Sequence, residues 1–71
     1  MIEEKGYIAM LIGVLKDGRT AEERAAAARG LGFVGGEEAV VALSSTLAEG
    51  RTSEERAAAA ESLGRALANS R

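Results

Sequence analysis

The sequence contains no cysteine, histidine, proline or tryptophan, and Tyr7 and Phe33 are its entire aromatic content. Without cysteine, neither a disulfide framework nor a cysteine metal site can form. Without histidine as well, the commonest general base, the thiol nucleophile and the commonest metal ligand are all missing. We therefore predict that the protein is not an enzyme and has no catalytic, metal or cofactor site.

Neither sign of charge dominates, because 9 basic and 11 acidic residues leave a net charge of −2. Runs of like charge are no longer than pairs of glutamates, so no polyelectrolyte tail is predicted. The longest apolar run, residues 7–15 with a glycine inside it, is far too short to span a membrane. At 71 residues the chain is one small domain, and we expect a soluble cytoplasmic protein without membrane contact.

The most informative feature is an internal repeat. Residues 8–32 recur at residues 40–64, shifted by 32 positions, and 14 of the 25 aligned residues are identical. A period of 20–50 residues is typical of stacked supersecondary units that bury their apolar faces against one another. Below, the residue 32 positions away is called the repeat counterpart.

Glycines and capping motifs divide the chain into four predicted helices. Helix one should span about residues 2–17, and Gly18 stands where a left-handed cap would end it. Thr20 with Glu23, and Thr52 with Glu55, fit capping boxes that begin helices two and four. Helix two should stop near residue 35, and helix three should fill residues 37–49, with Gly50 ending it as Gly18 ends helix one. The fold class is therefore all-α, with short connections that make successive helices antiparallel neighbours.

Helical periodicity predicts which residues face the core. Each helix should place one stripe inward, and the stripes of helices two and four should match because the sequence repeats. Gly32 and Gly64 could relieve crowding where helices cross, although Gly64 lies inside a helix and should cost about 1 kcal/mol against alanine. The predicted inward residues are Ile8, Leu11, Ile12 and Leu15; Arg24, Ala27, Ala28 and Leu31; Val40, Leu43 and Leu47; and Arg56, Ala59, Ala60, Leu63 and Leu67.

Residues 23–50, ERAAAARGLGFVGGEEAVVALSSTLAEG, resemble a HEAT-like repeat of the type associated with phycobilisome lyases, whose usual pattern is VRxxAAxALGxIGDxxAVxxLxxALxD. Glu23, Gly30 and Gly36 replace the usual valine, alanine and aspartate. The resemblance implies a short solenoid of stacked antiparallel hairpins, with one full repeat at about 20–49 and half repeats at 2–17 and 52–69. The matching positions are Arg24, Ala27, Ala28, Leu31, Gly32, Val34, Gly35, Ala39, Val40, Leu43 and Leu47.

The resemblance implies a non-catalytic interaction or assembly module. Two alternatives are an accessory fragment of a bilin-lyase-like HEAT protein and a nucleic-acid-binding HEAT-like module. The second alternative rests on arginines that recur with the repeat, but the negative net charge and the scarcity of aromatic residues argue against nucleic acid. Ion pairs along the stack are the simpler expectation, and they would join Arg19, Arg24, Arg51 and Arg56 to Asp17 or Glu49.

A candidate binding surface emerges where the two copies differ. Helix one carries Tyr7, Met10, Ile12 and Val14, whereas helix three has small or polar counterparts at these positions. A helix that is apolar most of the way round is either deeply buried or lies in an interface. We predict that these four residues contact a second copy in a homodimer or small closed oligomer. Burial within the same chain and binding of an unidentified different protein are the open alternatives.

Overall fold

The computed structural model describes residues 3–70 and contains four α-helices. They are α1 (Glu4–Asp17), α2 (Ala21–Val34), α3 (Glu37–Glu49) and α4 (Ser53–Ala68). No strand occurs among the described residues, so the all-α prediction is confirmed. The helix bounds agree with those read from the sequence to within a residue or two. Helix one begins at Glu4 with Glu3 as its N-cap, and its predicted first residue, Ile2, lies outside the described residues.

The capping box of α2 is present as predicted. The Glu23 amide donates to Thr20 Oγ1, and the Thr20 amide donates to Glu23 Oε1, both at 3.0 Å. In α4 only half of the motif forms. The Glu55 amide donates to Thr52 Oγ1 at 3.1 Å, but the Glu55 carboxylate accepts from the Thr52 hydroxyl and from Arg24 of α2 rather than from the Thr52 amide.

The left-handed caps predicted at Gly18 and Gly50 are wrong. Their φ angles are −56° and −58°, in a region open to any residue. Glycine is needed there for space, because a Cβ on Gly18 would lie 2.6 Å from the Val14 carbonyl oxygen, and one on Gly50 would lie 2.7 Å from that of Thr46. These tight turns bring each following helix back against the one before it.

The helices form two hairpins, α1 with α2 and α3 with α4, and the hairpins stack chiefly through α2 and α4. The consecutive helices α2 and α3 share little contact, so the expectation that all successive helices pack closely fails for this pair. The division into a full repeat at 20–49 and half repeats at 2–17 and 52–69 stays a prediction.

Small residues make up most of the core. Leu15, Leu31 and Leu43 are its large members, and alanines from the last three helices fill the rest. Helix backbones can approach closely across such residues. The approach is closest where Gly32 of α2 meets Ser62 of α4. The buried alanines are Ala25, Ala27, Ala28, Ala39, Ala42, Ala58, Ala59 and Ala66.

The inward face predicted for α2 is confirmed, but the one predicted for α4 is largely wrong. Arg24, Ala27, Ala28 and Leu31 are buried, whereas Arg56, Ala60 and Leu67 are exposed. In α4 the buried residues are shifted by about one position, which rotates the helix by about 100°, because α4 meets α2 and α3 on the side that faces back along the stack. Those residues are Glu55, Ala58, Ala59, Ser62 and Ala66.

We expect Ser62→Ala to stabilise the protein by about 1 kcal/mol. The Ser62 side chain is fully buried, and its hydroxyl has no hydrogen-bond partner among the described residues. Alanine removes that unsatisfied group, has a higher helix propensity and adds no atom to the crowded contact with Gly32. Thermal unfolding followed by circular dichroism measures the effect. A destabilised Ser62→Ala variant would show that the hydroxyl has a stabilising partner.

Candidate interaction surface

Three of the four residues predicted for an interface form an exposed apolar stripe on α1. Tyr7, Met10 and Val14 are 52%, 56% and 42% exposed. Their spacing of three and four residues places them on one side of the helix. Ile12 does not join them. It packs against the core and lines the groove between α1 and α3. The structure therefore leaves the stripe open within this chain.

The position of the stripe becomes clear from its repeat counterparts. Ala39 and Ala42, the counterparts of Tyr7 and Met10, are buried in α3. The stripe thus lies on the side of α1 that corresponds to the buried side of α3, which packs against the rest of the chain. It forms the open side of the stack at its first hairpin, away from α3.

The internal contact between the hairpins contains a buried ion pair. Arg24 Nη2 donates to Glu55 Oε1 at 3.0 Å, and Arg24 Nε lies 2.9 Å from Glu55 Oε2. Arg24 Nη1 also donates to the Gly18 carbonyl at 2.6 Å. The hydrogen bond to Arg24 lowers the pKa of Glu55 although burial opposes it, and the same bond raises the pKa of Arg24. Among residues 3–70 no ion pair joins a repeat arginine to Asp17 or Glu49, so these expected partners are wrong.

The opposite end of the α2–α4 contact is joined by amide and hydroxyl groups. The Asn69 side chain donates to the carbonyl oxygens of Gly32 and Phe33 at 3.2 and 3.0 Å, and the Gly36 amide donates to Ser70 Oγ at 2.7 Å. The two Asn69 bonds satisfy carbonyl groups that the end of α2 leaves free, and the Ser70 bond satisfies the amide at the start of α3. The crossing of α2 and α4 is therefore fixed at both ends.

The side of the second hairpin that faces away from the first hairpin carries the same repeat positions that the first hairpin buries, but here they are uncovered. We call Leu47, Arg56, Ala60 and Gly64 the C-terminal end face. All four are exposed, whereas their counterparts Leu15, Arg24, Ala28 and Gly32 are buried. Leu47 is 40% exposed and Leu15 only 3%, so the prediction that Leu47 points inward is wrong.

On the outer side of the first hairpin, residues are uncovered whose counterparts in the second hairpin are buried. We call Tyr7, Met10, Val14, Glu23, Ala26 and Gly30 the N-terminal end face. In α4 the residues Glu55, Ala58 and Ser62 are buried against α2 or the core, whereas their counterparts in α2, Glu23, Ala26 and Gly30, are exposed or half-buried. The two end faces are therefore uncovered copies of the two sides of one internal contact.

The recurring arginines do not form one exposed stripe. Arg24 is buried, while Arg19, Arg51 and Arg56 are exposed. Arg51 Nη2 donates to the Lys16 carbonyl at 2.7 Å, and Arg56 Nη1 to the Gly50 carbonyl at 2.8 Å. Most of these arginines thus hold backbone carbonyls at the turns.

Within residues 3–70 no helix combines the length and apolarity needed to cross a membrane.

Sequence reasoning located the α1 stripe but missed the C-terminal end face. It treats the matching positions of helices two and four as equally buried, so it places exposed Arg56 and Ala60 in the core and gives exposed Gly64 a role in crowding within the chain. The sequence signal that could have indicated this face is Gly64, a glycine inside a helix. The structure shows that no neighbour within the chain requires a glycine there. A Cβ there would meet nothing within 4 Å.

Comparison with known proteins agrees with this architecture. The family model described as HEAT repeats matches residues 1–64, which include the first three helices and most of the fourth. Comparisons with curated proteins and with solved structures find no match. Because the family model covers most of the chain and the helices form stacked hairpins, the chain belongs to the HEAT repeat family.

Proposed function

We propose that this protein is an assembly module that binds a second copy of itself, with Tyr7, Met10 and Val14 of α1 in the contact. HEAT repeats generally mediate protein–protein interactions and typically act as non-catalytic scaffolds. The proposal is supported by one observation above all. Tyr7 and Met10 are exposed where the second hairpin buries their alanine counterparts, and Val14 is exposed beside them.

Two other functions have weaker support. The likeness of residues 23–50 to repeats of phycobilisome lyases rests on the sequence pattern alone, and it would make the chain an accessory fragment of such a protein. Nucleic-acid binding would use the recurring arginines, but Arg24 is already held in a buried ion pair with Glu55. Neither function accounts for the exposed apolar stripe.

We expect the wild-type chain to have a mass well above its 7.3 kDa monomer when size exclusion with light scattering is run at micromolar concentration. Met10→Glu with Val14→Glu should yield a folded monomer, because two charges would have to be buried in the contact. Helix content by circular dichroism verifies the fold. A matched control is Val41→Glu, since Val41 is 63% exposed and lies on neither end face.

The wild-type chain and the Val41→Glu control distinguish a failure of self-association from a failure of the α1 stripe as its contact. A wild-type chain that is monomeric at micromolar concentration would contradict self-association. If Val41→Glu dissociates the assembly as strongly as the α1 substitutions do, the α1 stripe is not the specific contact.

A further inference from the structure

The second copy and its orientation can be inferred from the internal contact, given the self-association proposed above. We propose that copies stack head to tail, with the N-terminal end face of one chain on the C-terminal end face of the next, so that the α2–α4 contact is repeated between molecules. The contact is heterologous, because two different surfaces of the chain meet in it. It differs from a symmetric dimer in which α1 meets α1.

Charge complementarity supports this arrangement. Arg56 is anchored as Arg24 is, since each donates Nη1 to the carbonyl of the glycine six residues before it, at 2.8 and 2.6 Å. Arg24 has the Glu55 carboxylate as its partner, whereas Arg56 forms no ion pair with any carboxylate among residues 3–70. The counterpart of Glu55 is Glu23, which is exposed on the N-terminal end face. Between molecules, Glu23 supplies the carboxylate that Arg56 lacks.

Backbone proximity also supports it. Within the chain, Gly32 lets α2 approach Ser62 so closely that a Cβ would lie 2.9 Å from the Ser62 carbonyl oxygen. At the end faces the corresponding pair is Gly64 and Gly30. Both lack a side chain, so two helices can approach there at least as closely. A glycine at position 64 costs about 1 kcal/mol of helix propensity, and a close intermolecular crossing accounts for its presence.

Side-chain volume is compensated as well. Ile12 of α1 and Ala42 of α3 line the same groove between the hairpins, with the large residue on the first hairpin. At the end faces the counterpart of Ile12 is Ser44 and that of Ala42 is Met10. Between molecules, the small residue, Ser44, lies on the chain that presents its C-terminal end face. The large residue, Met10, lies on the chain that presents its N-terminal end face. Met10 thus provides at the junction the apolar bulk that Ile12 provides inside the chain.

Mixing two blocked variants tests the head-to-tail arrangement. The N-blocked variant carries Met10→Glu and Val14→Glu, and the C-blocked variant carries Ala60→Glu and Gly64→Glu at exposed positions. Each retains one functional end face, so each alone should be monomeric, with a dissociation constant raised by about 100-fold or more. Their mixture should form a one-to-one dimer and nothing larger, whereas the wild-type chain should grow beyond a dimer as its concentration rises.

The outcomes distinguish this inference from the proposed function. If the wild-type chain is monomeric, self-association itself fails. If it assembles and the C-blocked variant assembles equally well, the head-to-tail contact is overturned while self-association through α1 stands. Folded blocked variants that remain monomeric when mixed would also overturn it, and circular dichroism of each variant establishes that it is folded.

A milder substitution gives an independent measurement. Gly64→Ala should weaken assembly by about 10-fold or more, because its Cβ would approach the backbone at Gly30 of the next copy. The same substitution should not destabilise the isolated chain, where a Cβ at this position meets nothing within 4 Å. Unchanged assembly in Gly64→Ala would contradict the proposed crossing.

Discussion

Gly32→Ala is expected to lower the free energy of unfolding by about 1–3 kcal/mol, even though alanine favours helix more than glycine does. The added Cβ would lie 2.9 Å from both the Cβ and the carbonyl oxygen of Ser62, and 3.0 Å from its Cα. These atoms belong to a packed helix and cannot swing aside like the end of a flexible side chain. The hairpins would therefore have to separate, which loosens the Arg24–Glu55 and Asn69 contacts on either side.

The repeat provides a matched control for this prediction. Gly64→Ala, at the counterpart position, should raise the free energy of unfolding by about 1 kcal/mol, because its Cβ meets nothing and alanine is the better helix former. Thermal unfolding at concentrations below assembly should separate the two variants by on the order of 10–20 °C. If both substitutions raise the unfolding temperature, the close α2–α4 crossing at Gly32 is wrong.

The second large effect is expected from removing one member of the buried ion pair. Arg24→Met should strongly destabilise the protein, because the Glu55 carboxylate would then remain buried without its charged partner. Replacing both residues, Arg24→Met with Glu55→Leu, should recover much of the loss, since no unpaired charge remains. Arg29→Met is the control. Its pair with Glu61 spans 3.9 Å on the surface and should contribute less than about 1 kcal/mol.

The same pair predicts how stability depends on acid. The folded state lowers the pKa of Glu55 below its ordinary value of 4.5. The contribution of the ionised carboxylate is therefore present above about pH 4.5 and is lost as the pH falls through the lower pKa of the folded state. The Arg24→Met, Glu55→Leu variant lacks this contribution, so its unfolding temperature should fall less between pH 7 and pH 3 than that of the wild type. Equal declines would contradict a lowered pKa at Glu55.

Several features of the fold could be predicted from local sequence because their causes are local. The Thr20–Glu23 capping box needs only four consecutive residues, and the helical spacing of Arg24, Ala27, Ala28 and Leu31 reports one buried face wherever that helix packs. The apolar stripe of α1 was also visible, because comparison with α3 showed bulky residues in place of small ones.

The candidate site could be predicted only in part, because the sequence treats both repeats alike and the structure does not. Gly32 and Gly64 occupy matching repeat positions, each directly after a leucine, yet one is crowded by Ser62 and the other has open space around it. Arg24 and Arg56 both hold a turn carbonyl, yet only Arg24 reaches a carboxylate. Burial depends on which helix lies alongside, and that is a property of position in the stack.

The sequence by itself therefore determined the four helices and the Thr20 and Thr52 caps that begin α2 and α4, since helix formation depends on residues within a few positions of one another. Only the tertiary structure decided which copy of each repeated residue is covered. Within residues 3–70 each hairpin packs against one other hairpin, so α2 buries the face that α4 exposes. That asymmetry leaves the two end faces open in this structure, because similar local sequences have different surroundings once they are stacked.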